Sequence, residues 1–312
     1  MGYYAVLDIG SNSARMTITK IDKFGNYSVV AHEKAMVRLS EKMGPESILQ
    51  ESAINRTVKA LKTFNQKISQ YENIDIRVVG TAAIRRAVNQ KSVLERVKKE
   101  AGFDIEVISG EQEAYYDYLG VERTLPVVNC VIIDTGGAST EIILVQNGRA
   151  VELISLPVGS VTLSEQFLEK DVISAKSLFE LMTYLDKLLG SVWWLRKGTN
   201  LPIVALGGSN RTIAKIEMRK KGNNLLGSFH GYKMSDLDVF HVFSDVISKN
   251  LEERKKINGL SKERADIIIG GMAPFITLMR LLDSDRLTVS QFGLREGIFF
   301  EYLESVKSYR RK

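Results

Sequence analysis

A chain of 312 residues has room for two domains of roughly 150 residues each, and 44% hydrophobic with 26% charged residues is the balance of a folded globular protein, which excludes fibrous and disordered classes. No run of about 18 apolar residues is present, so no membrane-spanning helix is expected. The single cysteine, Cys130, excludes an intrachain disulfide and sits in an apolar run, as a core thiol of a reducing cytoplasm would.

The first thirteen residues lack the basic-then-apolar order of a secretory signal, and Val6 stands where a myristoylation motif needs Ser or Thr. The expected location is therefore cytoplasmic, without a membrane partner. The net charge of +6 is concentrated at Lys215–Lys221, Arg254–Lys256 and Arg310–Lys312, which suits either a solubilising surface or a polyanionic ligand. These clusters lack the interleaved aromatics of a single-strand binder. Nucleic acid is thus not the expected partner, although charge alone does not separate it from polyphosphate.

In chain order, residues 3–9 predict a strand that runs into the turn Gly10-Ser11-Asn12-Ser13. A second strand follows over Arg15–Ile21, then a hairpin turn at Gly25-Asn26 and a third strand over Tyr27–Lys34. Residues 46–71 have helical spacing, with Ile54, Val58, Leu61, Phe64 and Ile68 on one face. Ile74–Gly80 reads as a strand, Lys91–Ala101 as a helix, Ile105–Ile108 as a strand, and Glu111–Leu125 as a helix with acidic residues in its first turn.

The opening pattern then recurs about 126 residues later. Val127–Asp134 is a buried strand ending in Asp, as Val6–Asp8 does. The small-residue turn Gly136-Gly137-Ala138-Ser139-Thr140, a strand over Glu141–Gln146, the hairpin turn Asn147-Gly148 and a strand over Val151–Pro157 complete the copy. The repetition predicts an internal duplication, with domains at 1–124 and 125–312 enclosing a cleft. The remaining expected elements are a helix over Ser174–Arg196, a strand over Ile203–Leu206, a Gly-rich turn, a helix over Arg211–Lys220, helices through Leu282, a strand over Arg286–Val289, and a terminal helix from Arg295 that is free to pack back on the first domain.

Three small-residue turns carry the chemistry. Gly10, Ser11, Asn12 and Ser13 let backbone N–H groups and hydroxyls approach an anion, and Asp8 just before them can hold a divalent cation. Gly136, Gly137, Ala138, Ser139 and Thr140, flanked by Asp134 and Glu141, repeat that arrangement. Two such loops, each with its own carboxylate, suit a polyphosphate. Asp134 and Glu141 are the leading metal candidates, because alternation puts Glu141 at the start of its strand, near the loop. The third turn, Gly207, Gly208, Ser209, Asn210 and Arg211, leads into a helix whose first N–H groups could take another phosphate. His32, His230 and His241 lack metal-ligand spacing and read as structural.

The stretches AVLDIGSNSARM, VVGTAAIRRA, VISGEQEA, VIIDTGGASTEI, LPVGSVTLSE, ALGGSNRT, LSKERADIIIGG and VSQFGLREGIFFE stand in order over residues 3–302. In this combination the chain resembles the exopolyphosphatase/guanosine pentaphosphatase family in its short, two-domain form. The resemblance implies an α/β fold of the actin, hexokinase and Hsp70 class, ribonuclease H-like and duplicated, with the substrate in an interdomain cleft. It implies hydrolysis of terminal phosphoanhydride bonds of inorganic polyphosphate with Mg²⁺ or Mn²⁺. The same site could instead cut pppGpp to ppGpp, or bind such ligands as a sensor with weak turnover; a homodimer is left open. Matched by the Ala that follows it, Glu113 is the counterpart of the general base, with Glu111 as the fallback. Arg85, or its neighbour Arg86, is the counterpart of the arginine that reaches the substrate.

Four departures from the family pattern stand out: Gln112 in place of Glu, Ala138 in place of a third Gly, Asn210-Arg211 in place of small residues, and Gln291-Phe292 in place of Asp-Gly before Leu294-Arg295-Glu296-Gly297. If position 138 needs a left-handed backbone, Ala there costs roughly 1 kcal/mol.

Overall fold

The computed structural model of the protein describes residues 2–222 and 229–310, with side chains through 306. The basic cluster Arg310–Lys312 therefore lies outside the residues whose side chains are described. The chain divides into two compact units, one of Met1–Gly120 with Leu294–Lys312 and one of Val121–Gly293.

The first unit opens with β1 (Gly2–Ile9), β2 (Ser13–Ile21) and β3 (Tyr27–Met36), an antiparallel meander. Helix α1 (Glu51–Ile68) follows, then β4 (Ile74–Gly80), the short α2 (Ala82–Arg86), α3 (Gln90–Ala101), β5 (Glu106–Val107) and α4 (Gly110–Glu122). The helix expected over 46–71 starts only at Glu51, because Gly44 and Ser47 hold left-handed backbones (φ 64° and 54°) that a helix cannot continue. Strand order is β3-β2-β1-β4-β5, with β4 and β5 parallel to β1.

Alternation along β1 builds both layers of this unit. Ala5, Leu7 and Ile9 face one side and join the core made by Ile54, Val58, Leu61 and Phe64 of α1. Tyr4 and Val6 face the other side, with Tyr116 of α4 and, from the end of the chain, Ile298, Phe299 and Leu303. Asp8 shares the parity of Tyr4 and Val6.

The second unit repeats the meander as β6 (Cys130–Thr135), β7 (Thr140–Gln146) and β8 (Arg149–Leu156). It continues through α5 (Ser160–Phe167), α6 (Ala175–Gly190), β9 (Ile203–Leu206), α7 (Gly207–Lys220), β10 (Tyr232–Ser235), α8 (Asp236–Ile247), α9 (Leu251–Arg254), α10 (Ile268–Leu281) and β11 (Arg286–Val289). The sheet runs β8-β7-β6-β9-β11-β10. Its first five strands have the order and directions of the first sheet, and β10 is an antiparallel addition at the edge. Its core gathers Val131, Ile133, Ile142 and Leu144 under α6 and the apolar α10.

The last helix, α11 (Leu294–Arg310), belongs to the first unit, and the division at Gly120 falls inside α4 rather than at Thr124. The Tyr4 and Tyr302 rings stack at 3.8 Å, which shows how firmly α11 seats on β1. Among the described residues no helix is long and apolar enough to cross a membrane.

Candidate active site

The two duplicated loops share a backbone scheme. Gly10 N donates to Ser13 O at 3.2 Å, and Gly136 N donates to Ser139 O at 2.9 Å. In the first unit, Ser11 O accepts from Ser40 N, and Asn12 O accepts from Val37 N and Arg38 N. In the second, Gly136 O accepts from Ser160 N, and Gly137 O accepts from Val161 N, at the start of α5. A trans peptide sets its N–H opposite its C=O. With these carbonyls turned into the fold, the N–H groups of Asn12 and Ser13, and of Gly137, point the other way, as an anion-binding loop requires. Asn12 is 6% exposed, and both atoms of its side-chain amide lack a hydrogen-bond partner. An orphaned buried amide of this kind is what a bound ligand would satisfy.

Ala138 has no left-handed backbone, so the cost anticipated for an alanine there does not arise. Thr140, in contrast, is fully buried and donates its hydroxyl to Val158 O at 2.7 Å, which commits it to the β7–β8 region rather than to a ligand.

The carboxylates differ between the copies. Asp8 pairs in register with Arg15, and Asp134 pairs in register with Glu141. Directly paired residues of antiparallel strands share a face. Asp8 is half-buried, and desolvation raises its carboxyl above the usual range, while Arg15 and Arg295 pull it back down and Glu296 adds to the rise. Glu141 is not an exposed strand-edge charge: it is 1% exposed and accepts a hydrogen bond from Ser155 Oγ at 2.7 Å. Among the described residues no group of three or more His, Cys, Asp or Glu converges as a metal cage. Two carboxylates facing one another on paired strands are nevertheless the hard oxygen donors that Mg²⁺ or Mn²⁺ takes, with water and phosphate completing its shell.

Glu113 lies near the start of α4. Ser109 and Gln112 form a reciprocal cap there, Ser109 N donating to Gln112 Oε1 at 2.8 Å and Gln112 N to Ser109 Oγ at 3.1 Å. The amide of Gln112 thus accepts a bond that a glutamate would also accept. Glu113 is 8% exposed, and Arg85 Nη1 donates to its Oε2 at 3.0 Å and to Ile108 O at 3.0 Å. Glu113 and Arg85 are therefore brought together, with Arg85 engaged by the carboxylate. Asp117, one turn further along α4, is 1% exposed.

The third Gly-rich segment is not a separate turn. Helix α7 begins directly at Gly207, whose backbone is left-handed (φ 85°) and whose missing Cβ would lie 2.4 Å from Asp134 Oδ1. A Cβ on Gly208 would meet the Arg264 guanidinium at 2.2 Å. Ser209 faces inward, since a Cβ on Gly271 of α10 would lie 2.1 Å from its Oγ, so it does not present its hydroxyl to a ligand. Asn210 is fully buried with both amide atoms lacking a hydrogen-bond partner. Arg211 braces the backbone instead, donating to Gly207 O at 3.0 Å and Gln291 O at 3.2 Å.

Several residues around these sites stand in the quoted motifs, yet the sequence assigns them other roles or none. Arg15 and Arg295 act on Asp8. Arg264 and Arg211 stand near Lys215, whose ammonium is held below the lysine range by burial first and by these two cations second. Strand pairing made Arg15 findable, but Arg264 lies more than 50 residues from Gly208 in the chain. His230 is structural: its Nδ1 accepts from Gln291 N at 3.3 Å, and Nε2 can then donate to Thr124 O at 3.1 Å. His32 is in hydrogen-bond reach of Thr17 Oγ1 at 3.3 Å.

The profile of the Ppx/GppA phosphatase family matches residues 17–306. The chain belongs to that family. A Guanosine-5'-triphosphate,3'-diphosphate pyrophosphatase of Vibrio atlanticus is 30% identical over 306 residues, 97% of this chain and 60% of the relative. The chain thus spans under two thirds of that relative's length. The crystal structure of the Ppx/GppA family member of Aquifex aeolicus is similar with a TM-score of 0.78 at 32% identity, covering 99% of this chain and 98% of that one. An exopolyphosphatase structure from Cytophaga hutchinsonii reaches a TM-score of 0.90 at 22% identity, with 97% and 98% coverage, and bears on the fold alone. The α/β fold of the actin and Hsp70 superfamily, expected from the motifs, is the fold of this Ppx/GppA chain.

Proposed function

We propose that this Ppx/GppA protein is an exopolyphosphatase that hydrolyses the terminal phosphoanhydride bond of inorganic polyphosphate and releases orthophosphate. The observation that carries the reading is the buried Glu113 carboxylate, fixed through Oε2 by Arg85 at the start of a capped helix. Hydrolysis needs a base that orients a water in line with the leaving phosphate. In this reading the water oxygen bonds to the terminal phosphorus, the bridging P–O bond breaks, and Glu113 takes the water proton. Arg85 orients the base through Nη1 and, as the counterpart of the family arginine, reaches the substrate phosphate with the rest of its guanidinium. The outward N–H groups of the loops at 10–13 and 136–139 bind phosphate oxygens, and Asn12 supplies its orphaned amide. Asp134 and Glu141 would hold Mg²⁺ or Mn²⁺, which when bound neutralises phosphate charge.

Hydrolysis of pppGpp to ppGpp is the second reading, favoured by the name of the Vibrio relative that matches 97% of this chain. The same groups would act on a terminal phosphate in either case. Phosphate release from long-chain polyphosphate and from pppGpp, measured side by side with Mg²⁺, tests both. A higher kcat/KM on polyphosphate supports the first reading, and a higher value on pppGpp replaces it with the second. Tight binding of either ligand without release would make the protein a sensor.

A further inference from the structure

We propose that α11 is a positioning element for Glu113, acting through a clamp of Arg77, Tyr116, Glu301 and Gly297. The inference rests on Glu113 being the general base.

Arg77 lies on β4. Its Nε and Nη2 donate to Glu106 of β5 at 2.9 and 3.2 Å, its Nη1 to Glu301 Oε2 of α11 at 2.8 Å, and its Nη2 to the Tyr116 hydroxyl of α4 at 2.9 Å. The Tyr116 hydroxyl in turn donates to Glu301 Oε2 at 2.9 Å. One guanidinium thus ties β4, β5, α4 and α11, and its planar fork admits little variation in their spacing.

Tyr116 stands three residues after Glu113, one turn along α4 on the neighbouring face. The same stretch of chain grips both turns: Arg77 on β4 holds Tyr116, and Arg85, just past β4 on α2, holds Glu113. Against this pair α11 closes without a gap. A Cβ on Gly297 would lie 1.9 Å from Tyr116 O, so only glycine lets the helix axes come this close. Tyr302, next to Glu301, donates to Asp75 Oδ2 at 2.5 Å and anchors the same stretch of α11 to β4.

Glu301 is 46% exposed at its side chain, and ion pairs with so much solvent access contribute little to stability. Its removal should therefore move α4 more than it unfolds the unit. A misplacement of about 1 Å in a catalytic group lowers the rate by up to about 100-fold.

The test uses the whole chain with Glu301→Gln, Tyr116→Phe and, as reference, Glu113→Gln, measuring kcat and KM for phosphate release together with melting temperature. The expected result is a loss of kcat of about 10- to 100-fold in both clamp variants, with KM and melting temperature close to the unmodified protein. Unchanged kcat in both clamp variants, while Glu113→Gln is inactive, overturns the clamp and leaves the base in place. A loss of rate that vanishes once activity is normalised to folded protein also overturns it, since the contacts are then merely structural. If Glu113→Gln itself retains its rate, the base assignment has failed, and the clamp falls with it.

Discussion

Glu141 stands opposite Asp134 across β6 and β7, at the register position that Arg15 occupies opposite Asp8 across β1 and β2. The duplicated meander therefore presents the same backbone geometry twice with opposite electrostatics. In the first unit a half-buried carboxylate stands at the register position opposite a cation, with Arg295 lowering and Glu296 raising its proton affinity and desolvation keeping it raised. In the second, two carboxylates face one another, and bringing like charges together in a partly dry site is costly unless a cation joins them. Asp8 was a metal candidate on its sequence alone; its setting beside Arg15 and Arg295 makes Asp134 and Glu141 the better ones.

Removing either second-unit carboxylate should show up as a demand for more metal. Asp134→Asn and Glu141→Gln are expected to raise the Mg²⁺ concentration for half-maximal activity by about 10- to 100-fold, the scale on which well-placed metal-site contacts act. Asp8→Asn should leave that midpoint nearly in place. A Mg²⁺ titration of phosphate release checks all three, and an unchanged midpoint in Glu141→Gln would remove that residue from the metal site.

Glu113→Gln keeps the size of the side chain and an oxygen that can accept from Arg85, but it removes the proton acceptor. Turnover should fall by about 10²- to 10⁴-fold, the usual contribution of a general base. Affinity for polyphosphate should hold or rise, because a negative charge has left a polyanion site. Single-turnover rates and equilibrium binding separate the two effects. Retention of more than about a tenth of the rate would shift the role elsewhere, with Glu111 and the buried Asp117 next in line.

Much of this architecture was legible because the signals are local. Short apolar runs ending in Asp and a small-residue turn marked β1 and β6, and the Asn147-Gly148 turn has both residues left-handed (φ 51° and 72°), the conformation that tight hairpins demand. The Asp and small-residue loops could be read twice, since strand, carboxylate and glycine follow within a few positions. What stayed hidden depends on contacts between distant residues. Gly207 reads as part of a turn, yet α7 opens at it, and Asp134 and Thr135 leave no room there for a side chain. Arg211 reads as a phosphate ligand, yet Gln291 O lies within its reach 80 residues away. The pairing of α11 with the first sheet rests on Tyr4, Tyr116 and Gly297, and no periodicity within residues 294–310 reports it.

Cys130 offers a test of the second unit's packing through pH. It is 1% exposed on β6, and burial pushes its thiol up to about 12. An unfolded thiol ionises near about 8.5, so between there and about 12 the folded state holds a proton that the unfolded state has lost. Stability must then fall as pH rises, by at most about 1.4 kcal/mol per unit from this group. Chemical denaturation at pH 8, 9 and 10 should show a steeper decline for the unmodified chain than for Cys130→Val, a change of similar volume without the ionisable group. At pH 8 the native thiol should react with a soluble disulfide reagent only as fast as the protein opens. Rapid modification of native protein would mean that β6 is not packed as described.

Gly207→Ala links the fold of the second unit to its chemistry. The left-handed backbone at this position costs any L side chain about 1–2 kcal/mol, and the new methyl would sit 2.4 Å from Asp134 Oδ1 and 2.7 Å from Thr135 O. The backbone oxygen cannot yield without disturbing β6, so the carboxylate must turn away from Glu141 or the start of α7 must lift. Either movement spoils the donor pair. The melting transition of the second unit should drop by about 2–4 °C for each kcal/mol lost, and the Mg²⁺ midpoint should shift in the same direction as in Asp134→Asn. Combining Gly207→Ala with Asp134→Asn should raise that midpoint little further, because both act on one carboxylate and coupled positions are not additive. Independent, multiplying shifts would show instead that Gly207 supports activity by a route that does not pass through Asp134.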